Sequence, residues 1–196
     1  MKTITKVVIA GGGTAGWMAA ASLSKLIGRN LDISLIESDE IPTVGVGEAT
    51  IPSLLILHQL LQIKEQDFVA AVQGTFKLGI SFENWDQLGD RYIHPFGDIG
   101  KSSWMADFHH MWLMAKSRGF GGEAGDYCFE HQAAVAGKFA VSKSARINYA
   151  YHLDAGQYAG FLRQKFTPKG IKRIEGRISN VEQDGESGYV TALVME

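Results

Sequence analysis

KVVIAGGGTAGW, residues Lys6 to Trp17, is the stretch whose reading decides the fold. Val7, Val8, Ile9 and Ala10 form a short apolar run, the pattern of a strand buried on both faces. Gly11, Gly13 and Gly16 then stand at G-x-G-x-x-G spacing, and Trp17 to Leu26 reads as a helix. Each glycine has a physical task. Gly11 allows the tight turn out of the strand, Gly13 lets the backbone approach a pyrophosphate, and Gly16 lets helix and strand pack closely. Thr14 and Ala15 lie between them, where free N–H groups at the positive end of a helix dipole receive phosphates.

Working outward, Leu31 to Glu37 (LDISLIE) is a second strand, rich in β-branched and apolar residues. It ends in Glu37, about twenty residues past the fingerprint, where an acid accepts hydrogen bonds from a ribose. A glycine turn without a ligand is the bland alternative, and the strand–turn–helix–strand layout argues against it. Residues 1–40 are therefore expected to bind a dinucleotide. The fingerprint alone does not choose between FAD and NAD.

Ser38 to Pro52, SDEIPTVGVGEATIP, holds two prolines and two glycines and reads as a long loop of the kind that carries function. Ile51 to Ile63 is expected to be helical, with Pro52 suited to its first position and Leu54, Leu55, Leu57, Leu60 and Leu61 forming a wide apolar face. Glu65 to Val72 reads as a short helix. Gly74 to Trp85 reads as one strand or a pair of short strands, and Arg91 to Phe96 as another extended piece. Helices are expected over Trp104 to Lys116 and Tyr127 to Ala136, with a flexible loop from Arg118 to Gly125. Asn148 to Leu153 leads into a helix capped by Asp154 and ended by Pro168 and Gly170. Ile171 to Ile174 should return to the parallel sheet, and Ile178 to Glu182 with Tyr189 to Val194 form an antiparallel hairpin. The fold class is α/β and Rossmann-like. The strands are fewer than a doubly wound sheet needs, so a fragment of a larger protein is expected.

The net charge of −2 argues against a nucleic-acid face. The short basic run Lys169, Lys172, Arg173 and Arg177 reads as a solvated strand edge. Cys128 is the only cysteine, which excludes an internal disulfide and a cysteine-based metal site and fits a cytoplasmic location. The first apolar run is too short for a secretory signal, and no stretch has the length to cross a bilayer.

Four features bear on chemistry. Lys77, between Phe76 and Leu78, is either an edge residue pointing to water or a partly desolvated amine with a lowered pKa. Glu48 is a candidate base, or an anion held by backbone N–H groups. His94 and Phe96, two apart on an extended piece, can face one pocket and stack on a flat substrate; a buried aromatic contact is the alternative. His109 and His110 are expected to point to different helix faces and to make no metal site by themselves. No H-x-x-x-H, paired acidic motif or G-x-S-x-G elbow is present.

Together GGGTAGW, VGVGEATIP, TFKLGISFENW, YIHPFG and YHLDAGQYAGFLR resemble the flavin-dependent halogenases of the tryptophan halogenase family, in the same order along nearly the whole chain. GGGTAG is shared with many flavoproteins, whereas GVGEATIP followed by the lysine of FKLGI is specific to the family. The resemblance implies a Rossmann-like FAD-binding fold of the aromatic hydroxylase and halogenase type with an inserted substrate-side region. On that reading the whole chain is the N-terminal part of one module. Residues 1–50 are the dinucleotide-binding unit and flavin loop, 51–147 the insert with the catalytic lysine, and 148–196 the return helix, strand and hairpin. FAD would arrive reduced from a separate flavin reductase. Reduced flavin, oxygen and a halide would give hypohalous acid, which reaches Lys77 and halogenates an electron-rich aromatic such as tryptophan or indole. Gly47, Glu48, Ala49 and Thr50 would lie against the flavin, and His94 and Phe96 would flank the substrate. The family's W-x-W-x-I-P signature lies beyond position 196 and is not formed by Trp104 and Trp112, so the chain alone is expected to be inactive. An FAD-dependent aromatic monooxygenase, with no need for Lys77, and a non-catalytic flavin-binding fragment are the competing readings.

Overall fold

The computed structural model describes residues 4–42, 47–141 and 146–196. In chain order the elements are β1 (Lys6–Ala10), α1 (Thr14–Ile27), β2 (Asp32–Glu37), β3 (Gly47–Ala49), α2 (Ser53–Leu61), α3 (Glu65–Ala71), β4 (Thr75–Lys77), β5 (Gly79–Glu83) and β6 (Arg91–Pro95). They continue with α4 (Phe108–Ser117), α5 (Phe129–Val135), β7 (Ala150–Asp154), α6 (Ala155–Phe166), β8 (Lys172–Glu175), β9 (Ile178–Gln183) and β10 (Val190–Met195). Two compact units share these elements. One comprises Met1–Glu48, Leu57–Gly74 and Leu153–Glu196; the other comprises Ala49–Ile56 and Thr75–His152.

The first unit is built on a parallel sheet in the order β1-β2-β8. Val7 pairs with Ile33 and Ile9 with Leu35, while Leu35 also pairs with Arg173. The strand 171–174 thus returns to the sheet as its sequence predicts. One expectation fails here: β1 is not buried on both faces. It stands at the sheet edge and Val8 is 56% exposed, whereas Ile33, Leu35 and Ile36 of the central strand β2 are buried. An edge strand lacks a second neighbour to cover it, and apolarity alone does not reveal its place in the order.

Helices α1 and α6 enclose the core of this unit. Trp17, Ala20 and Ala21 of α1 and Tyr158, Leu162 and Phe166 of α6 are buried, the last three at one-turn spacing on a single face. The Asp154 side chain accepts from the Gln157 N–H at 2.9 Å, the expected N-cap. Gly170 closes the following turn at φ 100°, a left-handed conformation that favours glycine. His58 and Tyr158 share a hydrogen bond of 2.7 Å, and Phe68 meets both rings edge-on, with centroids 4.4 and 5.2 Å away. The wide leucine face expected near α2 is narrower, because Leu60 is 50% exposed while His58 takes a buried position beside Leu61. The predicted hairpin is β9 and β10, paired antiparallel with Leu193 opposite Val181.

In the second unit β4 pairs antiparallel with β7, placing Phe76 opposite Tyr151 and Lys77 opposite Ala150. The stretch 74–85 resolves as two strands rather than one, because pairing changes partner after Lys77. β5 turns to β6, with Ile80 opposite His94 and Phe82 opposite Tyr92. A Cβ at Gly79 would stand 2.6 Å from the His94 carbonyl oxygen, so only glycine permits this approach. Two helices are shorter than their composition suggests: α4 begins after Asp107, and α5 follows a 3-10 turn at Ala124–Tyr127. Among the described residues no helix is long and apolar enough to cross a membrane.

Burial depresses the His58 pKa from 6.5 to about 4. The unfolded chain therefore takes up a proton that the folded chain refuses between those values, and stability falls as pH drops from about 6.5 towards 4. Urea midpoints measured at pH 7 and pH 5 should show this loss, and a His58→Gln chain should lose much of the pH dependence.

Candidate active site

Two clusters of candidate residues are present, one in each unit. In the first, Gly11 turns the chain at φ 103° and its N–H bonds to the Ile36 carbonyl at 2.9 Å. A Cβ at Gly16 would lie 2.0 Å from the Gly11 oxygen, so helix and turn touch only because the side chain is missing. A Cβ at Gly13 would meet nothing within 4 Å. Gly13 is also the N-cap of α1 and offers no side chain to its amides, which leaves first-turn N–H groups free for a ligand. The Thr14 hydroxyl is spent on the Ala155 carbonyl at 3.2 Å, and Ala15 is exposed. Their contribution is therefore confined to the backbone.

Gly12 was not singled out by the spacing, yet a Cβ there would fall 1.5 Å from Glu37 Oε2. The carboxylate lies directly over this residue. The middle glycine of GGG was the available signal. Trp17 Nε1 donates to Glu37 Oε2 at 3.0 Å, while Oε1 receives Arg173 Nε at 2.5 Å and Arg163 Nη1 at 3.3 Å. Oε2 has only the indole donor among these, and a carboxylate oxygen can accept a second bond. It keeps room for a hydroxyl group. Asp39 is held by the same two guanidinium groups, Arg173 at 2.6 Å and Arg163 at 3.0 Å. The Arg173 bond, then the Arg163 bond, hold its carboxyl below the usual range. Arg173 also binds Glu175 at 2.6 Å. It is thus a paired strand residue, not part of a solvated basic edge, because three carboxylates converge on it.

Gly11, Gly13, Trp17, Glu37, Asp39 and Arg163 line a cavity of about 570 Å³. The glycine cradle, the uncapped helix start and the acid over Gly12 fit the adenosine and pyrophosphate part of a dinucleotide. Gly47 and Glu48 are exposed and do not line this cavity. Residues 43–46, which include the first three of VGVGEATIP, lie outside the described residues.

In the second cluster Lys77 is 9% exposed, which settles the alternative left open by sequence in favour of a desolvated amine. Nζ donates to the Thr50 carbonyl at 3.1 Å and stands 5.4 Å from the centroid of the Phe96 ring. Burial pushes the amine pKa down. Thr50 is fixed in turn. Its N–H donates to the Tyr151 carbonyl at 2.9 Å, and its hydroxyl accepts from the Tyr151 N–H at 3.0 Å. Strand alternation sends Phe76 to the opposite face, where it stacks on Phe139 at 4.1 Å. Phe96 is placed by its N–H bond to the Leu78 carbonyl at 2.8 Å. The structure therefore brings Lys77, Phe96 and Thr50 together, while Ala49 and His94 are exposed.

His109 and His110 depart from expectation. Their rings lie side by side with centroids 3.8 Å apart, rather than on separate faces. Both stand in the first turn of α4 and are exposed.

The sequence profile of the family described as "Tryptophan halogenase" matches residues 6–196. Tryptophan 7-halogenase RebH of Lentzea aerocolonigenes is 35% identical over 200 residues, covering 92% of this chain and 38% of the relative. A solved flavin-dependent halogenase from Xanthomonas campestris is 57% identical with a TM-score of 0.91, covering 100% of this chain and 40% of that one. BrvH, a flavin-dependent halogenase from Brevundimonas sp. BAL3, is 38% identical with a TM-score of 0.85, covering 98% and 40%. The chain thus spans about two-fifths of the length of these relatives. With a glycine cradle, a buried lysine and this match along the whole described fold, the chain belongs to the tryptophan halogenase family.

Proposed function

We propose that this chain is the N-terminal, FAD-binding and lysine-bearing part of one halogenase module that acts on an electron-rich aromatic such as tryptophan or indole. The observation that carries the proposal is the buried Lys77 amine, held on the Thr50 carbonyl beside Phe96. When bound in its reduced form, FAD supplies the oxygen activation that converts a halide to hypohalous acid. A separate flavin reductase provides that reduced form, and chloride or bromide is the co-substrate. A cytoplasmic setting fits the single buried thiol.

The chain's own residues have definite tasks in this scheme. The amides of Gly13, Thr14, Ala15 and Gly16 hold the pyrophosphate, with Gly11 and Gly16 fixing the turn and Glu37 Oε2 accepting from a ribose hydroxyl. Gly47, Glu48, Ala49 and Thr50 line the flavin side. Burial favours the neutral form of Lys77, whose nitrogen lone pair is nucleophilic. That amine either holds hypohalous acid by hydrogen bonding or takes its halogen, forming an N–halogen bond and releasing water. Attack by the aromatic carbon on the halogen then returns the amine, and the ring loses its proton. The Thr50 carbonyl orients the amine in both cases, and Phe96 with His94 flanks the flat substrate. Thr50 therefore links the loop to the lysine through a main-chain oxygen.

Two predictions follow from the sites. Gly13→Val meets open space and should leave the melting temperature within about 2 °C while weakening FAD binding at least about 10-fold. Gly16→Val overlaps the Gly11 carbonyl and should destabilise the fold itself; flavin fluorescence titration and thermal melting separate the two. For turnover, the chain is assayed alone and extended by the C-terminal region of a relative, with FAD, a flavin reductase, bromide or chloride, and indole. The extended protein should add a halogen mass to indole, and Lys77→Ala should lower that rate at least about 100-fold with FAD binding intact. Oxygen incorporation that survives Lys77→Ala would instead identify an aromatic monooxygenase.

A further inference from the structure

Asp107 occupies the N-cap position of α4, with φ −68° and ψ 148°. A carboxylate in that place ordinarily accepts from the first free amides of the helix. This one makes no cap bond. The Phe108 N–H is taken by Ser102 Oγ at 3.1 Å, and the His110 N–H by the Asp107 main-chain carbonyl at 3.1 Å. The Asp107 carboxylate and the imidazoles of His109 and His110 instead converge, so that one ligand atom from each lies within 4.8 Å of the others. Among the described residues none of these three side chains has a protein hydrogen-bond or ion-pair partner. Asp107 and His109 also line an open cavity of about 440 Å³.

We propose that Asp107, His109 and His110 form a binding site for a divalent transition-metal ion, with Zn²⁺ as its representative. Two imidazoles and one carboxylate are a nitrogen-rich set that suits zinc, copper, nickel or cobalt, whereas magnesium and calcium demand oxygen ligands. In a tetrahedral zinc site, bonds of about 2.0 Å place ligand atoms about 3.3 Å apart. Side-chain rotation closes the remaining gap without moving the helix, because all three residues are exposed. The adjacent cavity leaves further coordination positions to water. This site shares no residue with the glycine cradle or with Lys77, Thr50 and Phe96, and stands or falls apart from the halogenase reading.

The test uses the tag-free chain, since a histidine tag would mask the signal. Calorimetric titration with zinc chloride in a non-chelating buffer should show saturable binding of one ion. His109→Ala and His110→Ala should each weaken it at least about 10-fold, and Asp107→Asn several-fold, with unchanged melting temperature in metal-free buffer. Paramagnetic resonance of the Cu²⁺ form should show coupling to two imidazole nitrogens, reduced to one in His109→Ala. No saturable binding, or zinc binding retained when both histidines are replaced, would overturn the proposal.

Discussion

The first unit depends on one close approach, the contact between α1 and the turn at Gly11. It exists because Gly16 has no side chain, and a methyl group there would sit 2.0 Å from the Gly11 oxygen. That contact sets the start of the helix against the end of β1. From it follow the burial of Trp17, the reach of its indole to Glu37 and the cover given by α6. The packing rule and the ligand rule coincide at this point. The backbone brought close by Gly16 is the same backbone whose amides are left free at Gly13.

Glu37 shows how a binding acid is held ready. A carboxylate over a glycine turn pays a desolvation cost, which the guanidinium groups of Arg173 and Arg163 offset through charge-assisted bonds. Its second oxygen is steered by Trp17. Lys77 represents the opposite design. No carboxylate pairs with it among the described ion pairs, and a neutral carbonyl accepts from it. A lysine given a counter-ion is locked as a cation, whereas one held by a carbonyl in an apolar setting keeps access to its neutral form. The two units thus use burial for different ends.

Much of this was legible in sequence because the signals are local. The strand, the spacing of Gly11, Gly13 and Gly16, the Asp154 cap and the Leu162 and Phe166 stripe depend on neighbours a few residues away. The family likeness carried by GVGEATIP and FKLGI agrees with the matched profile. What stayed hidden depends on distant partners. Arg173 meets Glu37 across 136 positions of sequence, so no local pattern separates it from Lys172. The carbonyl that receives Lys77 Nζ belongs to Thr50, 27 positions away. The edge position of β1 and the converging rings of His109 and His110 are likewise products of tertiary placement, and periodicity carries no record of them.

A Lys77 amine that accepts halogen must shed its proton more readily than a surface lysine. The most direct measurement is a pH titration of the ¹³C-labelled lysine side chains by nuclear magnetic resonance, with the Lys77 signal assigned by its loss in Lys77→Arg. The expected result is that the Lys77 resonance titrates at lower pH than those of the exposed lysines. Titration together with the exposed lysines would contradict it, because an ordinary ammonium ion has no free electron pair to offer a halogen.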